Sequence, residues 1–442
     1  MFHYDIKGMS DFRKEVVEIK PTNAGNGTFS FSGGSPLIEF QIPQQPRFLL
    51  GKTLRINGRI TVKRTGGAAI DNATPASVCR LDSRTGVSSL LDMVSVGNNY
   101  GQTFELVKHY NRLCASLLPL NTGIHEYLNG GSNISYAANA KKAQQGLQLN
   151  EPQEFSMPLL VGILQGKPLD LNMSLGCKIQ LNLAPDNFVL FDDSLSGGAN
   201  TAAGATYSLD NLSLTFDSLV PVGAGVQGML GNTKGAWEYN SFSSFYNVLQ
   251  STDHTATFNL NLSRVQGVIM NLIPSSWLNT TTRNSNKATH ILNKATGTTL
   301  ETVEKGVDEL VFYKGGMRFP LDFILEEKTS VAQNTPSATL VRTSLNGLNN
   351  VWSMDNFLQS PRTDSLNEGK FTTSTTLNDR SSVNTIGISY DHITDNGVDF
   401  KKENWSFRIK APIEATTPMS AFIFVKHKNM IVFNGGQVSV QN

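Results

Sequence analysis

Between Thr53 and Lys63 apolar and polar side chains alternate, with Gly58 the one gap on the apolar face. Leu54, Ile56, Ile60 and Val62 are apolar, and Arg55, Asn57, Arg59 and Thr61 between them are polar. A period of two fits an extended strand with one buried face, the mark of antiparallel sheets. The pattern recurs along the chain. Leu37–Ile42 puts Ile38, Phe40 and Ile42 on one face, and Asn211–Phe216 does the same with Leu212, Leu214 and Phe216. Further strands are expected at Leu169–Leu175 and Lys178–Leu183. Beyond residue 250 they are expected at Thr257–Leu262, Arg318–Leu325, Ile386–Tyr390, Trp405–Ile409, Ala421–Val425, Asn429–Phe433 and Gln437–Val440. Many short alternating strands without a short repeat suit a sandwich or jelly roll and exclude solenoids and propellers.

Helical spacing shows in three places. Residues 1–20 carry Ile6, Met9, Phe12 and Val16 at intervals of three and four, with charges on the other face and Pro21 as a stop. This predicts a short amphipathic helix and marks these four residues as a candidate assembly arm; the bland alternative is a cap over a barrel base. Thr103–Leu118 reads as a helix with Thr103 as N-cap, Glu105 in the first turn and Pro119 ending it. Trp237–Gln250 reads as a weaker one. Residues 217–235 hold five glycines and a proline without any period and read as a joint. The expected organisation is therefore an arm over 1–24, a first β domain over 25–220, a linker over 221–236 and a second β domain over 237–442. Long polar insertions at 63–78, 192–206, 278–300, 328–346 and 360–384 read as surface loops.

Composition narrows the function. Only 17% of the 442 residues are charged and the formal net charge is +1, which argues against sequence-specific nucleic-acid binding. Three cysteines, Cys79, Cys114 and Cys177, have no metal-type spacing and cannot all pair, so reduced thiols are expected. No signal peptide and no apolar run of spanning length is read.

Catalytic signatures are weak throughout. Gly223–Gly228 fits G-x-G-x-x-G literally but follows Pro221 in β-rich surroundings, so a flexible joint is the better reading. Gly162–Lys167 is one residue short of a phosphate loop and runs into Pro168. His109, His125, Cys114, Glu105 and Glu126 are near one another in sequence, yet their spacing does not give one ligand face. Asp253-His254 lacks a nucleophile elbow. The adjacent pairs Asp192-Asp193 and Glu326-Glu327 diverge in a strand. Trp277, Trp352 and Trp405 read as packing groups rather than sugar platforms. No catalytic, cofactor-binding or metal-binding residue is expected, and the chain reads as a non-enzyme.

One succession of segments is more specific. Phe155–Leu171 (FSMPLLVGILQGKPLDL) leads into Ser174–Leu183 (SLGCKIQLNL) and, after a polar loop, Tyr207–Phe216 (YSLDNLSLTF). This resembles the end of the first jelly roll in double jelly-roll major capsid proteins of icosahedral DNA viruses. Gly86–Val96 followed by Tyr110-Asn-Arg-Leu113 is similar to segments of the Polinton-like and virophage-like members. The chain length also suits small tailless lipid-containing phages. The resemblance implies an all-β fold of two consecutive eight-stranded jelly-roll barrels, a double jelly roll with short helices and long loops. It implies a homotrimer of pseudo-hexagonal outline that tiles a shell. The aromatic richness of a chain with no evident ligand site predicts an obligate interface above ~2,000 Å² per contact. Neighbouring capsomers, penton and minor capsid proteins would be the partners, with an internal membrane as a further candidate. Localisation would be the virion, after synthesis in host cytoplasm or a virus factory. The open alternative is a β-sandwich carbohydrate-binding or hydrolytic protein.

Overall fold

The strand with the cleanest alternation sits at the centre of its sheet. In the computed structural model Phe48–Arg64 is one continuous strand, and Leu54, Ile56, Ile60 and Val62 are buried as their spacing requires. The structure describes residues 12–25, 27–64, 79–81, 86–121, 152–192, 204–222, 234–250, 253–275, 278, 309–319, 325–326, 385–390, 397–410, 418–434 and 437–441.

The first half contains β1 (Phe12–Ile19), β2 (Thr28–Phe29), β3 (Leu37–Ile42), β4 (Phe48–Arg64), β5 (Cys79–Arg80), β6 (Leu91–Gly97) and β7 (Thr103–Lys108). Helix α1 (Tyr110–Asn121) follows, then β8 (Gln153–Pro158), α2 (Gly162–Gln165), β9 (Leu169–Asp170), β10 (Cys177–Leu183), α3 (Asp186–Val189), β11 (Phe191–Asp192) and β12 (Ala205–Pro221). One sheet has the order β1-β12-β4-β8 and the other β3-β10-β6-β7. Setting aside the two-residue strands, eight remain. The first sheet joins the first, eighth, third and sixth of them, and the second joins the second, seventh, fourth and fifth. That is the jelly-roll topology.

The second half repeats it. Its strands are β13 (Lys234–Leu249), β14 (Asp253–Phe258), β15 (Val265–Pro274), β16 (Glu309–Lys314), β17 (Met317–Arg318), β18 (Leu325–Glu326), β19 (Thr385–Ser389), β20 (Trp405–Lys410), β21 (Met419–Asn434) and β22 (Gln437–Gln441). The sheets run β13-β21-β15-β19 and β14-β20-β16-β17, and with the short β17 taken as the fifth strand and β18 and β22 as additions, the order is the same. The expectation of two consecutive jelly rolls holds, and β1 corresponds to β13 as the opening strand of each.

That correspondence corrects the reading of residues 1–20. Residues 12–19 are not helical. Phe12–Ile19 pairs in register with Pro221 back to Leu214 and closes the first sheet. Val17 and Ile19 pack against the core while Val16 points out, so the two-residue period decides over the looser helical one. The arm expected over 1–24 thus gives up residues 12–19 to the barrel. Ile6 and Met9 lie outside the described residues.

Other expectations shift for identifiable reasons. Thr103–Lys108 is a strand, and the helix begins only at Tyr110, after His109 takes a left-handed φ of 53°. Pro119 does not stop that helix, which runs to Asn121. Trp237–Gln250 is not helical: all but Gln250 belongs to the sixteen-residue strand β13. Ala421–Val425 and Asn429–Phe433 are parts of one strand. Strand structure over Leu169–Leu175 is limited to β9, because a tight turn with Leu175 and Gly176 at positive φ follows it. The strand expected at Thr257–Leu262 ends at Phe258, although Leu260 and Leu262 are buried. Of Arg318–Leu325, only the ends belong to described strands. Strands also extend into the expected linker: β12 runs to Pro221 and β13 starts at Lys234. The long insertions fall largely outside the described residues.

Each barrel has its own core. The second holds Trp405, Phe407, Ile409, Phe312, Tyr390 and Phe400. Trp405 stacks on Phe312 with ring centroids 5.6 Å apart and donates its indole N–H to Tyr390 Oη at 3.0 Å, so it is a packing residue as read. The core of the first barrel is continuous with Phe242, Phe422 and Phe424 of the second, and there the two barrels meet.

Candidate functional site, the joint between the barrels

Strand β13 is the outer strand of its sheet, and a free strand edge is a liability unless something covers it. The first barrel covers this one. Tyr239 donates its hydroxyl to the carbonyl of Phe104. Three residues on, the Phe242 N–H donates to Glu105 Oε1 at 3.2 Å. Four further on, the Tyr246 ring lies 6.0 Å from that of His109. These contacts follow the same order along both segments, so β7 and β13 run side by side in the same direction.

Glu105 is the pin of this joint. It is fully buried, yet its carboxylate is saturated with donors. The Gly162 N–H reaches Oε1 at 3.3 Å and the Ile163 N–H reaches Oε2 at 2.9 Å. A buried carboxylate needs such partners to stay in the fold. Burial pushes its carboxyl up to about 7, and the backbone donors together with Ser241 oppose that rise. Gly162–Lys167 therefore does present backbone N–H groups to an anion, and the anion is the protein's own Glu105. Gly162 must be glycine for a second reason. A Cβ there would lie 1.9 Å from the Asn240 carbonyl oxygen of β13.

The joint continues toward the far end of the strands. Asn271 donates from Nδ2 to the Arg112 carbonyl at 2.8 Å, and the Arg112 guanidinium lies 5.2 Å from the centre of the Phe422 ring. His109 packs edge-on against Phe422 at 5.0 Å and faces Asp92 at 3.6 Å. Beside them opens a cleft of about 460 Å³, lined by Phe31, Phe188, Tyr246 and Phe422 with Asp92 and His109. In the second barrel His427 is buried and accepts from, or donates to, Ser243 Oγ at 2.9 Å; burial pulls its pKa down to about 4.

This arrangement holds two barrels together. Glu105, His109 and Cys114 do not gather: Glu105 is spent on backbone donors, His109 faces the cleft, and Cys114 is buried beside Tyr110 with its thiol pushed up to about 12. His125 and Glu126 lie outside the described residues. Among the described residues no group of three His, Cys, Asp or Glu side chains could hold a metal ion. Cys177 is buried too, its thiol likewise pushed up to about 12. Asp253 is engaged by Arg408 at 2.8 Å. Gly223–Gly228, Asp193, Trp277, Glu327 and Trp352 lie outside the described residues. Of the candidate arm residues, Phe12 meets the Phe48 ring at 6.0 Å, and Val16 is 77% exposed on the outer face of the first barrel. No described helix is long and apolar enough to cross a membrane.

No family model matches the sequence, and no curated protein matches it. Solved structures do. The chain is similar to VP54 of PBCV-1, as fitted into a reconstruction of the virophage Sputnik, at 12% identity and a TM-score of 0.55, over 98% of this chain and 97% of that one. Similarity to the quasi-atomic model of the PBCV-1 virus capsid is 13% identity with a TM-score of 0.57, over 98% and 97%. For the mavirus major capsid protein the values are 11% and 0.51, over 96% and 90%. The chain has the double jelly-roll fold. Its structural neighbours are major capsid proteins of double jelly-roll viruses, and the likeness covers nearly the whole chain.

Proposed function

We propose that this protein is a major capsid protein that self-assembles as homotrimeric, pseudo-hexagonal capsomers and builds the icosahedral shell of a DNA virus. The observation that carries the reading is the full-length likeness to the mavirus major capsid protein. The joint supports it. Two barrels of identical topology, locked side by side and aligned in the same direction, give one chain two similar wedges of a ring. Three such chains present six wedges, and closure of the ring needs two different patches per chain. The near-neutral net charge of +1 leaves little long-range repulsion between neighbouring capsomers.

The exposed Val16, with Lys14 and Glu18 beside it on β1, belongs to the surface we assign to contacts between copies. Neighbouring capsomers and minor shell proteins are the partners of this reading, and the virion shell is its location. Electron microscopy of the concentrated, purified protein tests it. Shells or flat sheets with near-hexagonal packing are expected. Particles without any lattice, together with glycan binding or hydrolysis by the same preparation, would overturn it.

A further inference from the structure

The cleft of about 460 Å³ at the joint is built by both barrels. β6 and β10 bring Asp92 and Asn182 to it from the first, and β13 and β21 bring Tyr246 and Phe422 from the second. Its volume lies in the range of small-molecule sites, about 300–1,000 Å³, and such sites favour the meeting of two domains.

Two aromatic walls stand open on it, and both are held in place. Tyr246 is 44% exposed, and its hydroxyl is fixed to Ser420 Oγ at 3.0 Å. Phe31 is 41% exposed on a closed loop, where the Ser30 N–H donates to the Ser35 carbonyl at 3.1 Å and the Ser35 N–H donates back at 3.0 Å. Walls fixed in advance lose little freedom when a ligand seats.

Three polar side chains of the same lining keep their hydrogen-bonding capacity: Asp92, His109 and Asn182. Asp92 and His109 face each other at 3.6 Å, too far for a hydrogen bond. His109 otherwise touches the rings of Tyr246 and Phe422. Among the described residues none of these three side chains makes a hydrogen bond, in contrast to the saturated carboxylate of Glu105. Together they offer what a set of hydroxyl groups needs. A carboxylate accepts, a carboxamide does both, and a neutral imidazole donates from one nitrogen and accepts at the other. His109 is also held at a left-handed φ of 53°, a backbone state that side chains other than glycine rarely adopt. Charge narrows the ligand further. The negative Asp92 is balanced by the Arg112 guanidinium, which lines the cleft beside the Phe422 ring. Neither an anion nor a cation gains from such a site.

We propose that this cleft binds a neutral pyranose sugar. The C–H face of such a ring packs on an aromatic side chain, and its rim of hydroxyls meets Asp92, Asn182 and His109. All of these groups belong to one chain, so the inference does not rest on the capsid reading.

Saturation-transfer NMR on the purified full chain tests it. The probes are glucose, galactose, mannose and N-acetylglucosamine, each free and as its methyl glycoside, with glucosamine, glucuronic acid and adenosine as comparators. At least one neutral sugar is expected to bind, with the strongest transfer to its ring C–H protons, and the comparators to bind several-fold less. A glycoside that binds assigns the end of a glycan, and binding of the free sugar alone assigns a soluble saccharide. Phe31→Ala and Asp92→Asn are each expected to weaken binding several-fold while the mass by light scattering and the circular dichroism stay those of the parent. Tyr246→Phe, which keeps the ring, is expected to bind as the parent does. A parent that binds no sugar of the panel, a comparator that binds as well as the best neutral sugar, or Phe31→Ala and Asp92→Asn variants that both bind like the parent overturn the proposal. The mass separates this failure from the other: a trimer that binds no sugar leaves the capsid reading standing, and a monomer that binds one leaves the cleft assignment standing.

Discussion

At the residue scale, Glu105 and Gly162 decide whether the barrels hold together. Glu105→Ala strips the acceptor from the backbone N–H groups of Gly162, Ile163 and Phe242 and is expected to cost on the order of 3 kcal/mol. Gly162→Ala forces a methyl group against the Asn240 carbonyl and is expected to cost about as much. Denaturant unfolding of the two variants measures both. The pH dependence has a sign. The Glu105 carboxyl stands at about 7 in the fold against 4.5 normally, so the fold favours its protonated form. That stabilisation is complete below about 4.5 and lost as pH rises through 7. His427, lowered to about 4 from 6.5, does the reverse: its contribution is complete above 6.5 and lost as pH falls through 4. The Tm advantage of the parent over Glu105→Gln should therefore shrink from pH 5 to pH 8, and that over His427→Asn should shrink from pH 7 to pH 4. Thermal melts across pH check both. No sequence pattern announced Glu105. Its donors are backbone atoms 57, 58 and 137 residues away, and backbone donors leave no residue-type signature.

At the element scale, strands were legible where one face is buried and the other wet. β10 alternates buried and half-buried side chains throughout, and β3 and β4 behave alike. Legibility failed where both faces are used. In β21, Ala421, Ile423 and Val425 enter the second core while Phe422 and Phe424 enter the first, so the run is nearly all apolar and its length could not be read. β7 failed because the acid Glu105 occupies a buried position between Phe104 and Val107. β1 failed because its exposed Val16 supplied a helical spacing that the fold does not use. The strand reading has a consequence for truncation. Removing residues 12–19 strips the outer neighbour from the second half of β12, leaves it paired only with β4, uncovers the core under Val17 and Ile19, and is expected to yield insoluble or unfolded protein. Expression and circular dichroism of that deletion check it.

At the scale of the whole molecule, the double jelly roll was legible through the resemblance carried by Phe155–Phe216, but the geometry with which the barrels meet was not. It depends on Phe422 and Phe424 reaching across to another barrel, which is a property of the assembled fold. Replacing both by alanine should cost about 3–5 kcal/mol for each ring and loosen the barrels before either unfolds. Calorimetry should then show two transitions in place of one. The central claim, that such a double-barrelled chain is a trimeric shell subunit, is tested most directly by the solution mass from light scattering at two concentrations. With 48.2 kDa per chain, the account predicts about 145 kDa, or larger assemblies built from that unit, unchanged on dilution. A monodisperse 48.2 kDa monomer at both concentrations would contradict it.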